Sequence, residues 1–343
     1  MNSQKPNLFS FATSELSQDA FICWLASWAK PELKTLDPLL HKTAQEFIIS
    51  LILNGRREYE AAQIETVDVQ RQDDRIDVII FVNRYLKNRL AILIEDKTHT
   101  NHHSGQLDRY YSLLQEEKYG FRKEEIVPIF FKTGYQSFFD IGIYHLYSRN
   151  DFLSVLNQGK VNGVQNSIYD DFLEHLTEME NAIHQYKTKP LGDWSPTDWI
   201  GFYLDLYPLI TKSKEVNWSY VANPAGGFYG FWWHFTDVES RYKAYLQLEQ
   251  KRLCFKVAVN SEADGKSVRT EALEKLKATA DRLDYNVKQT PSRLGKWMTI
   301  LRYNGTGPSG KDYRVFEDGQ FSMAKTLANL KKAEQVLTQA FRN

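Results

Sequence analysis

The segment Leu90-Ala-Ile-Leu-Ile-Glu-Asp-Lys97 runs through five apolar residues and then ends abruptly in three charges. An unbroken apolar run of this length reads as a strand buried on both faces, because a half-exposed strand would alternate apolar and polar residues. Such a strand needs a layer above it and a layer below it, which the chain has to supply as helices. Side chains alternate along a strand, so Glu95 and Lys97 share one face and Asp96 points to the other.

The flanking sequence supplies those layers. Ala20, Phe21, Trp24, Leu25 and Trp28 recur at helical spacing from Ser17 to Trp28, with Ser14 or Ser17 able to cap the start. A second helix is expected from Leu36 to Leu53, stopped by Asn54-Gly55. Ile64 to Val69 alternates and Ile76 to Val82 is nearly continuous and β-branched, so both read as strands, separated by a turn at Asp73-Asp74. His102 to Lys118 reads as a helix, Ile126 to Phe131 as a fourth strand, Tyr144 to Tyr147 as a short further strand and Gln165 to Tyr186 as a helix. The order helix, strand, strand, strand, helix, strand predicts an α/β domain with a central mixed sheet flanked by helices.

At 343 residues the chain is too long for one average domain. Pro190, Gly192 and Pro196 mark the expected boundary, giving domains 1–189 and 190–343. Beyond it, a helix over Thr197 to Thr211 leads to strands at Phe228 to Phe235, Tyr242 to Leu248 and Leu253 to Val259. A helix over Ser267 to Leu283, a strand over Trp297 to Tyr303 and a helix from Met323 to Phe341 complete an α+β C-terminal domain.

Chemistry concentrates at the end of the 90–97 strand. Asp77 stands in an apolar setting, Arg75-Ile-Asp-Val-Ile-Ile-Phe81, and a short connection makes that strand an antiparallel neighbour of the Glu95 strand. Asp77 and Glu95 can then reach one patch beside Lys97. Two carboxylates in a buried setting are costly to keep ionised unless a cation sits between them. Hard oxygen donors of this kind suit Mg²⁺ better than zinc, with Mn²⁺ able to substitute. The implied reaction is phosphodiester hydrolysis, with Lys97 orienting the nucleophile or stabilising charge that grows on the phosphorus oxygens.

Asp77 followed by Glu95-Asp96-Lys97 at a strand end resembles the D…ExK motif of PD-(D/E)XK nucleases. The resemblance implies a restriction-endonuclease-like core in which Asp77 and Glu95 bind the metal, the peptide carbonyl of Asp96 is a further ligand and Lys97 assists the attack. Gln106-Leu-Asp-Arg-Tyr110 resembles the Q-x-x-x-Y signature of RecB-like members, which places Gln106 and Tyr110 near the active site. Glu15, in Ser-Glu-Leu-Ser-Gln-Asp-Ala, resembles an accessory acidic metal ligand of some members; a helix-dipole role is the competing reading. No Pro precedes Asp77, where Arg75-Ile76 stands instead. The resemblance covers residues 10 to 135 and suggests a bacterial or phage-encoded enzyme of defence or DNA processing. A catalytically silent relative kept for nucleic-acid binding or assembly is the rival class, which the intact Asp77, Glu95 and Lys97 oppose.

Charge is balanced, 43 Lys plus Arg against 43 Asp plus Glu, which excludes a generally basic coat. A nucleic-acid partner, DNA by the resemblance, has to meet a local patch. Leu294, Gly295 and Lys296 with Ser292 and Arg293, then Arg302, Lys311 and Arg314, are the first candidates for it. The run Phe228-Tyr-Gly-Phe-Trp-Trp233 offers faces for stacking on bases, with strand core as the default reading. His99, His102 and His103 fit no closed zinc site and read as a solvated loop, and Gly305-Thr-Gly-Pro-Ser-Gly310 reads as a turn. Cys23 and Cys254 are expected as buried reduced thiols. No leader-like start and no apolar run of ~20 residues is present, so a cytoplasmic protein with no membrane partner is expected. Self-association into a homo-oligomer is left open by the sequence.

Overall fold

The computed structural model describes residues 5–342 apart from 56, 99–104, 137–139, 211–215, 225, 262, 292–293, 306–311 and 318. The chain forms two compact units, divided after Glu180.

The first unit is built on a five-stranded sheet in the order β1 (Val67–Arg71), β2 (Val78–Val82), β3 (Leu90–Lys97), β4 (Ile126–Lys132), β5 (His145–Ser148). Neighbours are antiparallel from β1 to β3 and parallel from β3 to β5, so the sheet is mixed, as the element order requires. All eight residues of β3 are buried. Helices α1 (Glu15–Ser27), α2 (Pro38–Asn54) and α4 (Arg149–Val161) cover the face that carries Val78, Ile80, Ile92 and Ile94. The short α3 (Gln106–Leu113) covers the other, against Ile79, Ala91 and Leu93. Helix α5 (Ser167–His184) completes the unit. Asp37 caps α2 by accepting from the Leu40 amide, and Pro38 occupies the first helical position, where no amide hydrogen is needed.

Several bounds differ from the sequence reading. Strand β1 starts at Val67 because the Asn83 side chain takes the amides of Glu65 and Thr66, so these residues leave the ladder. Helix α3 stops at Leu113, short of Lys118, whose ammonium and the neighbouring Tyr119 hydroxyl are held by Asp73 and Asp74. Helix α4, absent from the sequence reading, is fixed by a capping box in which Ser148 and Asp151 satisfy each other's amides, and it brings Phe152 between the rings of Phe47 and Phe131.

Just before β4, Glu125 is buried and accepts from Arg89 at 2.9 Å and from the Arg122 amide at 2.8 Å. Burial alone would raise its pKa, yet these contacts hold it at about 2. A depressed carboxyl brings stability that is present above its unfolded value and lost as pH falls towards the folded one. Glu125→Gln is therefore expected to cost about 2 kcal/mol at pH 7, after discounting for the screened Arg122, and almost nothing near pH 2. Urea midpoints of the two proteins at the two pH values check this.

The second unit holds helix α6 (Pro196–Ile210) and strands β6 (Asn217–Val221), β7 (Phe228–Val238), β8 (Tyr242–Glu249) and β9 (Arg252–Val259). Helix α7 (Gly265–Arg282), strands β10 (Val287–Gln289) and β11 (Trp297–Tyr303), the small hairpin β12 (Phe316–Glu317) and β13 (Gln320–Phe321), and helix α8 (Met323–Ala340) follow. Six strands pair antiparallel in the order β10-β11-β9-β8-β7-β6. The short β6 and β10 were not legible as strands. Arg314, a candidate cation for a nucleic-acid patch, is instead buried: its guanidinium stacks between Trp194 and Trp199 and pairs with Asp312 at 2.6 Å. Such a charge is spent on holding the core and cannot meet a polyanion. Among the described residues no helix is long and apolar enough to cross a membrane. Cys254 is buried, Cys23 is half-buried and both are free thiols that burial pushes up to about 12.

Candidate active site

The antiparallel pairing of β2 with β3 sets Val78 opposite Ile94, which brings Asp77, one residue before β2, to the level of Glu95. Asp77 Oδ2 accepts from the Asp96 amide at 2.9 Å, so the side chain is pinned across the end of β3. Glu95 is fully buried and Lys97 nearly so. Lys97 Nζ lies 2.6 Å from Glu95 Oε1, 3.3 Å from Asp77 Oδ2 and 2.8 Å from the Asp96 carbonyl oxygen. Three oxygens from two adjoining strands therefore converge on one cationic atom.

Electrostatics follow from this burial. Glu95 is pushed up to about 7 by desolvation and by the charge of Asp77, against the pull of Lys97. Burial on its own would lower Lys97, but its contact with Glu95 and the charges of Asp77 and Glu15 hold it above the ordinary lysine value. Among the described residues the buried Glu95 Oε2 has no hydrogen-bond donor.

The other expected residues gather at the edge of this group. Glu15, in the first turn of α1, accepts from the Thr98 amide at 3.0 Å and stands 4.0 Å from Lys97 Nζ. At the start of α3, Gln106 Nε2 donates to Glu95 Oε1 at 2.7 Å and reaches the Tyr110 hydroxyl at 3.3 Å. One helical turn separates Gln106 from Tyr110, so both face the strand. The carboxylate of Asp96 turns to the opposite face and leaves only its carbonyl in the cluster.

Three further residues were not anticipated. Gln18 donates to Asp96 and accepts from Thr133 Oγ1 at 2.6 Å, tying α1 to the ends of β3 and β4. Asp19, also buried, lies near Asp96, and the charge of each carboxyl disfavours ionisation of its neighbours. Burial raises both, Asp19 to about 7. Lys132 pairs in register with Lys97 on the parallel β4, so its side chain leaves the sheet on the Glu95 face, and burial lowers it to about 8. A signal for Lys132 was present: Ile126-Val-Pro-Ile-Phe-Phe-Lys132 ends an apolar strand in a charge just as β3 does.

Among the described residues no group of three or more His, Cys, Asp or Glu side chains is arranged to hold a metal ion. The donor set at the cluster is two carboxylates and one peptide carbonyl, hard oxygens that suit Mg²⁺ or Mn²⁺. Lys97 acts there as a stand-in ion and shows that these oxygens can surround a single positive centre. His99, His102, His103, Ser292, Arg293, Lys311 and residues 306–310 lie outside the described residues.

A family model described as the PD-(D/E)XK nuclease superfamily matches residues 6–190, more than half of the chain. Neither the curated proteins nor the solved structures contain a match.

Proposed function

Because the chain belongs to the PD-(D/E)XK nuclease superfamily, we propose that it hydrolyses phosphodiester bonds in DNA, with a divalent cation held by Asp77, Glu95 and the Asp96 carbonyl. The observation that carries this reading is the convergence of those three oxygens on Lys97 Nζ. A bound Mg²⁺ supplies Lewis acidity, which makes water a better nucleophile and stabilises charge on the phosphoryl oxygens.

The chain's own groups do the rest. Gln106 fixes Glu95 Oε1, and the Asp96 amide fixes Asp77 Oδ2, so neither carboxylate has to reorganise when charge develops. With a dication on the carboxylates, the Lys97 ammonium would be free to donate to the attacking water or to a nonbridging phosphate oxygen. Lys132 adds a second cation on the same side of the sheet, and Glu15 holds the Thr98 amide and with it the exit of β3. Tyr110 supports Gln106 and acts on the reaction through it. Defence against foreign DNA or DNA processing is the role we assign to this activity.

Incubating the purified chain with plasmid and with linear DNA in Mg²⁺, Mn²⁺ or EDTA tests the proposal. Cleavage is expected with either metal and none in EDTA. Cleavage that persists in excess EDTA would remove the cation from the reaction, and no cleavage of any DNA or RNA with either metal would favour a silent binding module.

A further inference from the structure

The six-stranded sheet carries its helices on one face only. Helices α6, α7 and α8 pack against the side that buries Phe231, Trp233, Leu246 and Val257. On the opposite side a cleft of about 610 Å³ opens over β6 to β9 and β11. Its lining is aromatic: Phe228, Trp232, Phe235, Tyr245 and Trp297, with Phe235 and Tyr245 stacked at 5.0 Å. Trp297 is 65% exposed, with the Lys296 ammonium 5.1 Å above its ring. An exposed tryptophan at the mouth of a concave, aromatic-lined site is a candidate contact for a ligand.

Charge on the same face narrows the ligand. By the strand register, Lys243, Arg252, Lys256, Lys288 and Arg302 project from this side, against Asp237 and Glu249. Glu249 is already engaged by Lys256 at 3.2 Å and Arg302 at 3.8 Å. In a chain with no net charge this is a local excess of cations, and it surrounds flat rings. An apolar peptide would use the rings and make no use of the net positive charge. A duplex would use the cations but keeps its base faces stacked on one another. Unstacked bases on a phosphate chain use both.

The geometry points to this sheet face as a binding surface for single-stranded nucleic acid, its rings stacking on bases and its lysines and arginines following the phosphates. This rests on the nuclease reading in taking nucleic acid as the substrate class, and it adds that the bound segment is unpaired.

Fluorescence anisotropy with a labelled oligothymidine of about 12 nucleotides, within the usual site sizes, tests this on the full chain in EDTA. The oligothymidine is expected to bind more tightly than a duplex of equal length. Trp297→Ala, at an exposed position that leaves the fold intact by circular dichroism, should weaken binding about tenfold, and Trp297→Phe should restore most of it. Arg252→Gln with Lys288→Gln, both exposed, should flatten the salt dependence by about two phosphate contacts. Binding that ignores Trp297→Ala, or a duplex that binds as tightly, overturns the assignment. So does self-association in sedimentation equilibrium that Trp297→Ala abolishes while oligothymidine binding is unchanged, because the face then joins copies of the chain. Binding without cleavage would sink the catalytic proposal and leave this one standing, and cleavage with Trp297-independent binding would do the reverse.

Discussion

Glu95→Gln is expected to lower DNA cleavage by about a thousandfold or more at saturating Mn²⁺. Glutamine fills the same buried space, so packing around β3 is kept while the charge is lost. Glu95 and Asp77 are the two carboxylates within 3.3 Å of Lys97 Nζ, with Glu15 farther out at 4.0 Å, and removing one of the inner pair weakens the hold on a dication. The electrostatic stabilisation supplied by such an ion is several kcal/mol, and about 4 kcal/mol corresponds to a factor near a thousand. Initial rates of plasmid nicking measure it. A variant within tenfold of the wild type would show that Glu95 is not a ligand, whatever the family relationship.

Lys97→Ala should produce the largest change in stability, and one that depends on the ions in the buffer. Without metal, the substitution removes the ammonium that lies between buried Glu95 and half-buried Asp77. Breaking a buried pair in this way costs about 3–5 kcal/mol. Glu95, already raised to about 7, answers in part by taking up a proton, which favours the lower end of that range. A loss of about 3 kcal/mol lowers the melting temperature by roughly 10 °C in a unit of this size. Added Mn²⁺ should recover most of the drop in the variant, because a dication can occupy the space that the ammonium leaves. It should stabilise the wild type less, because there it has to displace Lys97 first. Melting curves with and without Mn²⁺ decide the matter: a drop that the ion does not repair means that the three oxygens do not accept a dication.

Most of the first unit was legible because its strands are buried and its helices are punctuated. The run Leu90 to Lys97 is a strand over that same span, and the alternation rule alone separated Asp96 from Glu95 and Lys97. Asp77 could be placed because its neighbour is reached through a short hairpin. Helix α4 escaped because its cap, Ser148, is also the last residue of a strand and its buried apolar side chains, Phe152, Leu153 and Leu156, are few among polar ones. Strands β6 and β10 are short and gain their identity only from the partners beside them. Gln18 reaches the site through hydrogen bonds to residues distant in sequence, of which a single chain carries no record, whereas Lys132 was signalled by its strand's charged end but not by its pairing with β3. In the second unit the aromatic run of β7 splits by alternation. Phe231 and Trp233 enter the core while Phe228 and Trp232 line the open cleft, so the core reading describes half of it.

The hairpin of β2 and β3 has a consequence for how the molecule is made. Asp77, Glu95 and Lys97 lie on one local antiparallel pair, whereas the parallel partner β4 must wait for a long crossover to close. The order of assembly is thereby biased: the charged corner can form while the rest of the chain is still searching. An ion gripping this hairpin would act on a piece of structure that can close before β4 docks.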